Sequence, residues 1–327
     1  MKKLILAAAL SAGFILGIPV GPALAAVPAN GFTAAVVASS GEMITGNINA
    51  TGYDLGIYVG PGVHRVQIVG ATISGANDEG IMVQDASDVL IEGSTVQGNA
   101  VDPAPSLSEV KGIAVVGSTG VIIRGNLVTK NGHGGIGVYD DGPNSPFAPT
   151  AIDQSPVASV GVVVQRNIVS NNFADCGIVV SAKNPGGGVY DTVVKDNTLT
   201  ATEFPVPSGI IVAGGANGPV DVVGTVVADN RISGGLLPGI SLHAFGPGTI
   251  ADTMLIGNVL TGSGTGAVSQ QTTGIEMFAI PDVGVISSTQ ILHDVVTNDY
   301  YGVYHVGDTG TQIDGLVTNN VTMAVGP

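Results

Sequence analysis

The chain has 327 residues, with ten Lys or Arg against 25 Asp or Glu and a formal charge of −15. So few basic residues argue against a nucleic-acid partner, where affinity comes from Lys and Arg on phosphates, and against docking on an anionic membrane surface. Hydrophobic residues at 44% exclude disorder from low hydrophobicity, and a lone Cys176 excludes a disulfide framework or a cysteine metal cluster.

Residues 1–25 read as a secretory signal peptide. Lys2 and Lys3 precede an apolar run from Leu4 to Val20, and Ala23-Leu24-Ala25 supplies a small-x-small cleavage site. Residues 26–327 are then one exported domain, secreted or periplasmic, with eight basic and 25 acidic residues. No later apolar run is long enough to span a bilayer. Segment 26–44, with Phe32, Val36 and Val37, is placed to cap the N-terminal end of this domain.

From Gly56 onward the sequence repeats. Gly followed by Ile or Val recurs at Gly56, Gly80, Gly112, Gly135, Gly177, Gly209, Gly239, Gly274 and Gly302. Between these pairs runs a second signal, Asn-x-aliphatic, at Asn126, Asn167, Asn197, Asn230 and Asn258, with Asp294 in that slot once. Each unit holds about three short strands of period-two alternation, and no stretch sustains a capped helical period. A coil of this kind cannot bury its apolar face alone. Coils must stack at about 4.8 Å each, and nine of them give a rod on the order of 40 Å long. The recurring Asn is expected to stack inside a turn, its amide bonded to neighbouring coils, in the left-handed backbone it tolerates.

This Gly-Ile and Asn-x-Ile alternation resembles the right-handed parallel β-helix repeat of the pectin-lyase-like superfamily, over residues 45–322. The resemblance implies an all-β fold, a three-sheet solenoid of about nine coils. It implies a polysaccharide or cell-surface glycan as partner. The chain would be a lyase, hydrolase or uronate epimerase; the alternative is a non-catalytic β-helix that binds or builds at the cell surface. The motifs of polygalacturonases are mostly missing. Gly132-His133-Gly134 and Asp140-Asp141 occur, but on one coil and in reversed order. The motifs of alginate epimerases and pectate lyases are absent, and no Trp offers a platform for sugar rings.

In the superfamily, substrate lies along the sheet that corresponds to the Gly-Ile strands. Alternation turns each Ile inward and the next residue outward. The outward residues of the middle coils are apolar, which points to a loop folded over them; the longest insertion, 141–159 with Phe147, is the expected cover. Two polar clusters remain. The first is His133, Tyr139, Asp140, Asp141, Asp175 and Lys183. Asp140, Asp141 and Asp175 would bind Ca²⁺, a hard cation that takes oxygen ligands. Lys183, Asp141, His133 and Tyr139 would do the proton work there. The bland alternative is that Asp140-Asp141-Gly142-Pro143 is a turn. The second cluster is His243, Glu276 and Tyr304, with His305 beside it, a set able to perform general acid/base chemistry. His64, His293 and Cys176 are read as structural. At the C-terminal end, 318–322 would be a bare edge strand, so self-association or a cap formed by folding back Tyr300-Tyr301 and the last residues is expected.

Overall fold

The computed structural model describes residues 32–100, 110–143, 155–173, 176–201, 209–215, 218–235, 237–262, 272–280 and 282–326. The expected signal peptide lies outside the described residues. Over the rest the chain winds as a parallel β-helix of three sheets, with eleven, eighteen and six strands. Coils are numbered one to nine by their Gly-Ile or Gly-Val pair.

All nine pairs open or lie within strands of the eleven-stranded sheet. Ala34–Val37 precedes them and Met323–Gly326 follows them, so eleven strands stack in this sheet where nine were expected. Of the expected cap 26–44, residues 26–31 lie outside the described residues, and Ala34–Val37 is itself a rung, paired in parallel with Leu55–Val59. Ile113, Ile136, Ile178, Ile210 and Ile240 form one column in register, each 0–1% exposed. The preceding Gly is required by close approach. A Cβ at Gly135 would lie 2.4 Å from Gly177 O and from Val169 Cγ1, and one at Gly177 would lie 2.7 Å from Leu199 Cδ2. Each inward Ile or Val thus closes over the strand opposite.

The eighteen-stranded sheet is two rows, such as Ile122–Arg124 and Leu127–Thr129, folded at the Asn corner. The Asn side chains form a continuous ladder. Asn167 Nδ2 donates to Asn197 Oδ1 at 3.0 Å and Asn197 Nδ2 to Asn230 Oδ1 at 3.0 Å; the series runs on through Asn258 to Asp294 Oδ1 at 2.8 Å. Each Asn Nδ2 also donates to a backbone carbonyl of a neighbouring coil, as Asn197 does to Val164 O at 2.9 Å. The left-handed residue at this corner is the one before the Asn: Arg166 (φ 56°), Asp196 (φ 56°), Asp229 (φ 55°) and His293 (φ 58°). The Asn serves as hydrogen-bond partner, and its tolerance of positive φ is not used.

Asp294 ends the ladder because the residue stacked on it in the next coil, by the register of Val295 on Val317, is Leu316, which offers no polar side chain. Its Oδ2 is buried without a hydrogen-bond partner among the described residues. Burial pushes this carboxyl up to about 6, against the lowering effect of the bonds from Asn258. A folded-state value above the unfolded one gives stability that is full below pH ~4 and is lost as pH rises through about 6. The melting temperature is expected to be higher at pH 5 than at pH 8. Asp294→Asn should flatten that profile and raise stability at pH 8 by up to about 3 kcal/mol, the equivalent of roughly two pKa units. Thermal scans of both proteins across this range check it; a profile unchanged by the substitution would contradict it.

At the C-terminal end, Met323–Gly326 adds to the first sheet, with Tyr301 opposite Met323 and Val303 opposite Val325. Tyr301 is buried within this stack and the last described residues add beside it as a rung, so the expected cap folded back from Tyr300-Tyr301 and the last residues is replaced by one more strand of the sheet. Val317, Met323 and Val325 remain exposed.

Candidate functional site

Residues alternating outward on the first sheet are buried over its first five coils. Met82, Ala114, Val116 and Tyr139 are 0–1% exposed and pack with Tyr58, Cys176 and Val179 as a cluster separate from the inner core. That face is buried; residues 144–154 of its expected cover lie outside the described residues. Within the expected cover, Val157 pairs with Asp141, its N–H donating to Asp141 O at 3.0 Å. Phe147 lies outside the described residues.

The first cluster does not converge. His133 precedes the strand Gly134–Tyr139 and Tyr139 ends it, which separates them by about 20 Å at the strand rise. The Tyr139 ring lies back over Gly137, where a Cβ would be 2.3 Å from it. Two ammonium groups flank that ring, Lys111 Nζ at 5.9 Å and Lys183 Nζ at 6.0 Å from its centroid. Asp140 receives the backbone of Lys183, not its ammonium: it accepts from Lys183 N (2.7 Å), Asn184 N (2.8 Å) and Gly188 N (3.2 Å). Burial raises the Asp140 carboxyl above its usual value despite these donors, which lower it. Asp140 is thus a buried clasp for the 183–188 turn.

Asp141 points to the other side and accepts from Gln84 Nε2 at 2.7 Å and Gly142 N at 2.8 Å. Gln84 Oε1 in turn accepts from Tyr58 Oη at 2.9 Å. Burial, together with the neighbouring Asp141 carboxyl, pushes Asp85 up to about 7. Tyr58, Gln84 and Asp85 were not among the expected site residues, although alternation from Ile81 reads Met82 and Gln84 as outward, and the same rule from Ile57 places Tyr58 outward. Asp175 lies outside the described residues. Among the described residues no three His, Cys, Asp or Glu side chains are grouped as metal ligands. His64 bonds Ser40 Oγ at 3.1 Å, and Cys176 is buried under the face.

The second cluster does converge, on the strands Ile240–Ala244, Thr273–Ala279 and Tyr301–Val306. Ser241 is the register partner of Glu276 and His243 that of Phe278, so His243 and Glu276 are diagonal neighbours on one face. His243 Nε2 and Glu276 Oε2 lie 2.7 Å apart. An ionised Glu276 can only accept, which puts the proton on Nε2 and leaves Nδ1 as the nitrogen free to exchange one. The two side chains are 20% and 25% exposed, so this part of the face is open where the middle coils are covered. Phe245 stands edge-on to the imidazole at 5.0 Å and Phe278 at 6.3 Å. Tyr304 is the register partner of Glu276 on the next strand, and its ring packs at 5.1 Å on Tyr301. His305 does not join the set: it takes the inward position opposite Met277 and bonds Asp308 Oδ1 at 2.8 Å. Phe245, 44% exposed, is the member that sequence reading missed, because it follows the strand instead of alternating within it.

Residues 26–152 match the family model described as "Right handed beta helix region". No curated protein matches the chain by sequence. Among solved structures, the surface adhesin PfbA of Streptococcus pneumoniae is similar over 89% of this chain and 82% of its own, at 10% identity and a TM-score of 0.54. The Dettilon tailspike protein is similar at 12% identity and a TM-score of 0.57, over 87% of this chain and 55% of its own. The Agl-KA catalytic domain is similar at 12% identity and a TM-score of 0.53, over 86% of this chain and 53% of its own. The chain thus spans about half the length of the last two. At such identities the likeness is one of fold. No helix among the described residues is long and apolar enough to cross a membrane.

Proposed function

We propose that this chain, a right-handed parallel β-helix protein, is exported and binds polysaccharide or cell-surface glycan along the outward face of its first sheet at coils seven to nine. The observation that carries this reading is the partly exposed His243–Glu276 pair, 2.7 Å apart and flanked by Phe245, Phe278 and Tyr304. Aromatic rings give sugar rings an apolar face to rest on. The imidazole and carboxylate give hydroxyl groups a donor and an acceptor in fixed geometry. A sheet face of this kind runs across parallel rungs about 4.8 Å apart, so a chain of sugars can contact several coils at once. The same pair supports a second reading, in which His243 Nδ1 gives or takes a proton at a bound sugar. That would make the protein a lyase-, hydrolase- or epimerase-type enzyme.

The test is calorimetric titration of the protein against a polysaccharide panel, with product release followed in parallel. His243→Ala and Phe278→Ala are each expected to weaken binding at least about tenfold, roughly 1.4 kcal/mol. Lys195→Ala, on the second sheet, is expected to leave it unchanged. Binding that survives both substitutions in folded protein would overturn the site.

A further inference from the structure

The ligand class can be read from the charges around this face, an inference that rests on the glycan-binding reading of coils seven to nine. After Arg231 the sequence contains no Lys or Arg, while Asp252, Glu276, Asp282, Asp294, Asp299, Asp308 and Asp314 follow. Coils seven to nine are therefore built entirely from residues without a permanent cation. Arg231 itself lies on the strand Arg231–Ser233 of the other sheet. Lys183 is the nearest basic residue along the first sheet, about 10 Å or two rungs before Phe245 by extension of the register. Its ammonium turns the other way, over the Tyr139 ring at 6.0 Å. The one side chain on the face that can carry positive charge, His243, is tied to Glu276 at 2.7 Å. Protonated, the pair is neutral; deprotonated at the imidazole, it is negative. The remaining outward groups, Ser241, Phe245, Phe278 and Tyr304, are uncharged aromatic or hydroxyl groups.

We infer that the glycan held by coils seven to nine is a neutral one, built of uncharged hexose or N-acetylhexosamine units, and not a polyuronate. A uronate carboxylate would be set beside Glu276 with no Lys or Arg to receive it, and the acidic field of these coils would oppose its approach. A neutral sugar gains the ring stacking and the His–Glu hydrogen bonds without that penalty.

The experiment titrates the protein with four oligosaccharide sets of matched length. They are neutral hexose oligomers, N-acetylglucosamine oligomers, glucosamine oligomers and oligouronates, each with Ca²⁺ and with EDTA, at low and high salt. A neutral set is expected to bind at least about tenfold more tightly than the uronates, nearly independently of salt, and to lose that affinity in Phe278→Ala. Uronate binding as tight as or tighter than neutral binding, with or without Ca²⁺, would overturn the inference and leave the glycan site standing, provided His243→Ala removes it. Tightest, salt-sensitive binding of glucosamine oligomers would overturn the inference in the same way. Binding by none of the four sets would overturn the glycan reading, and this inference with it.

Discussion

Asn197→Ala is expected to lower stability by about 3 kcal/mol or more, since several buried partners would be left unmet at about 1–3 kcal/mol each. Asn197 accepts the backbone N–H of Asn167 at 2.9 Å and the Asn167 Nδ2 group at 3.0 Å. It donates to Val164 O at 2.9 Å and to Asn230 Oδ1 at 3.0 Å. The residue is 1% exposed, so water cannot replace these partners without opening the corner. The break also falls mid-ladder, where each amide polarises the next. Urea unfolding followed by circular dichroism reads the loss as a lower midpoint. A change below about 1 kcal/mol would mean that the ladder is a by-product of stacking and does not hold the corner.

Ile178→Ala is expected to cost about 2–5 kcal/mol, as buried Ile truncations do. Ile178 is fully buried, stacked between Ile136 and Ile210 in the inward column, and the coils above and below hold the cavity open. Ile168 provides the contrast. It has the same side chain in the next sheet but faces outward and is 52% exposed, so Ile168→Ala should stay within about 0.5 kcal/mol. Similar losses at the two positions would contradict the register that assigns inward and outward faces.

That register was legible in the sequence because it depends on local rules. Alternation has period two, Gly precedes the inward Ile where the next coil crowds it, and the Asn sits one corner later. None of this needs the loop lengths. The His243–Glu276 pair was legible for the same reason: both residues lie inside Gly-led strands, and one register step makes them diagonal neighbours. The first cluster failed on two physical grounds. Asp140 and Asp141 are adjacent, so alternation sends them apart, one to the 183–188 turn and one to Gln84. A buried carboxyl also takes whatever N–H groups lie nearest, and the backbone donors of the 183–188 turn were invisible as chemistry. The Tyr58–Gln84–Asp141 network joins residues up to 83 positions apart, across insertions of unequal length. It could be found only once each coil had been set against its neighbour. His305 was misplaced by one residue, which in a strand is a change of face.

On the proposed reading, a glycan lies on the open part of the first sheet, at coils seven to nine. Amide hydrogen exchange, with and without saturating glycan from the neutral set, tests it most directly. Slowed exchange is expected to concentrate in Ile240–Ala244, Thr273–Ala279 and Tyr301–Val306, where three parallel strands present His243, Glu276, Phe278 and Tyr304. Protection that instead falls on Ile81–Gln84 and Lys111–Val116, beside the Asp85–Asp141 pair, or at the corner hollow lined by Asp196, Asp229 and Arg231, with none in those three strands, would contradict it.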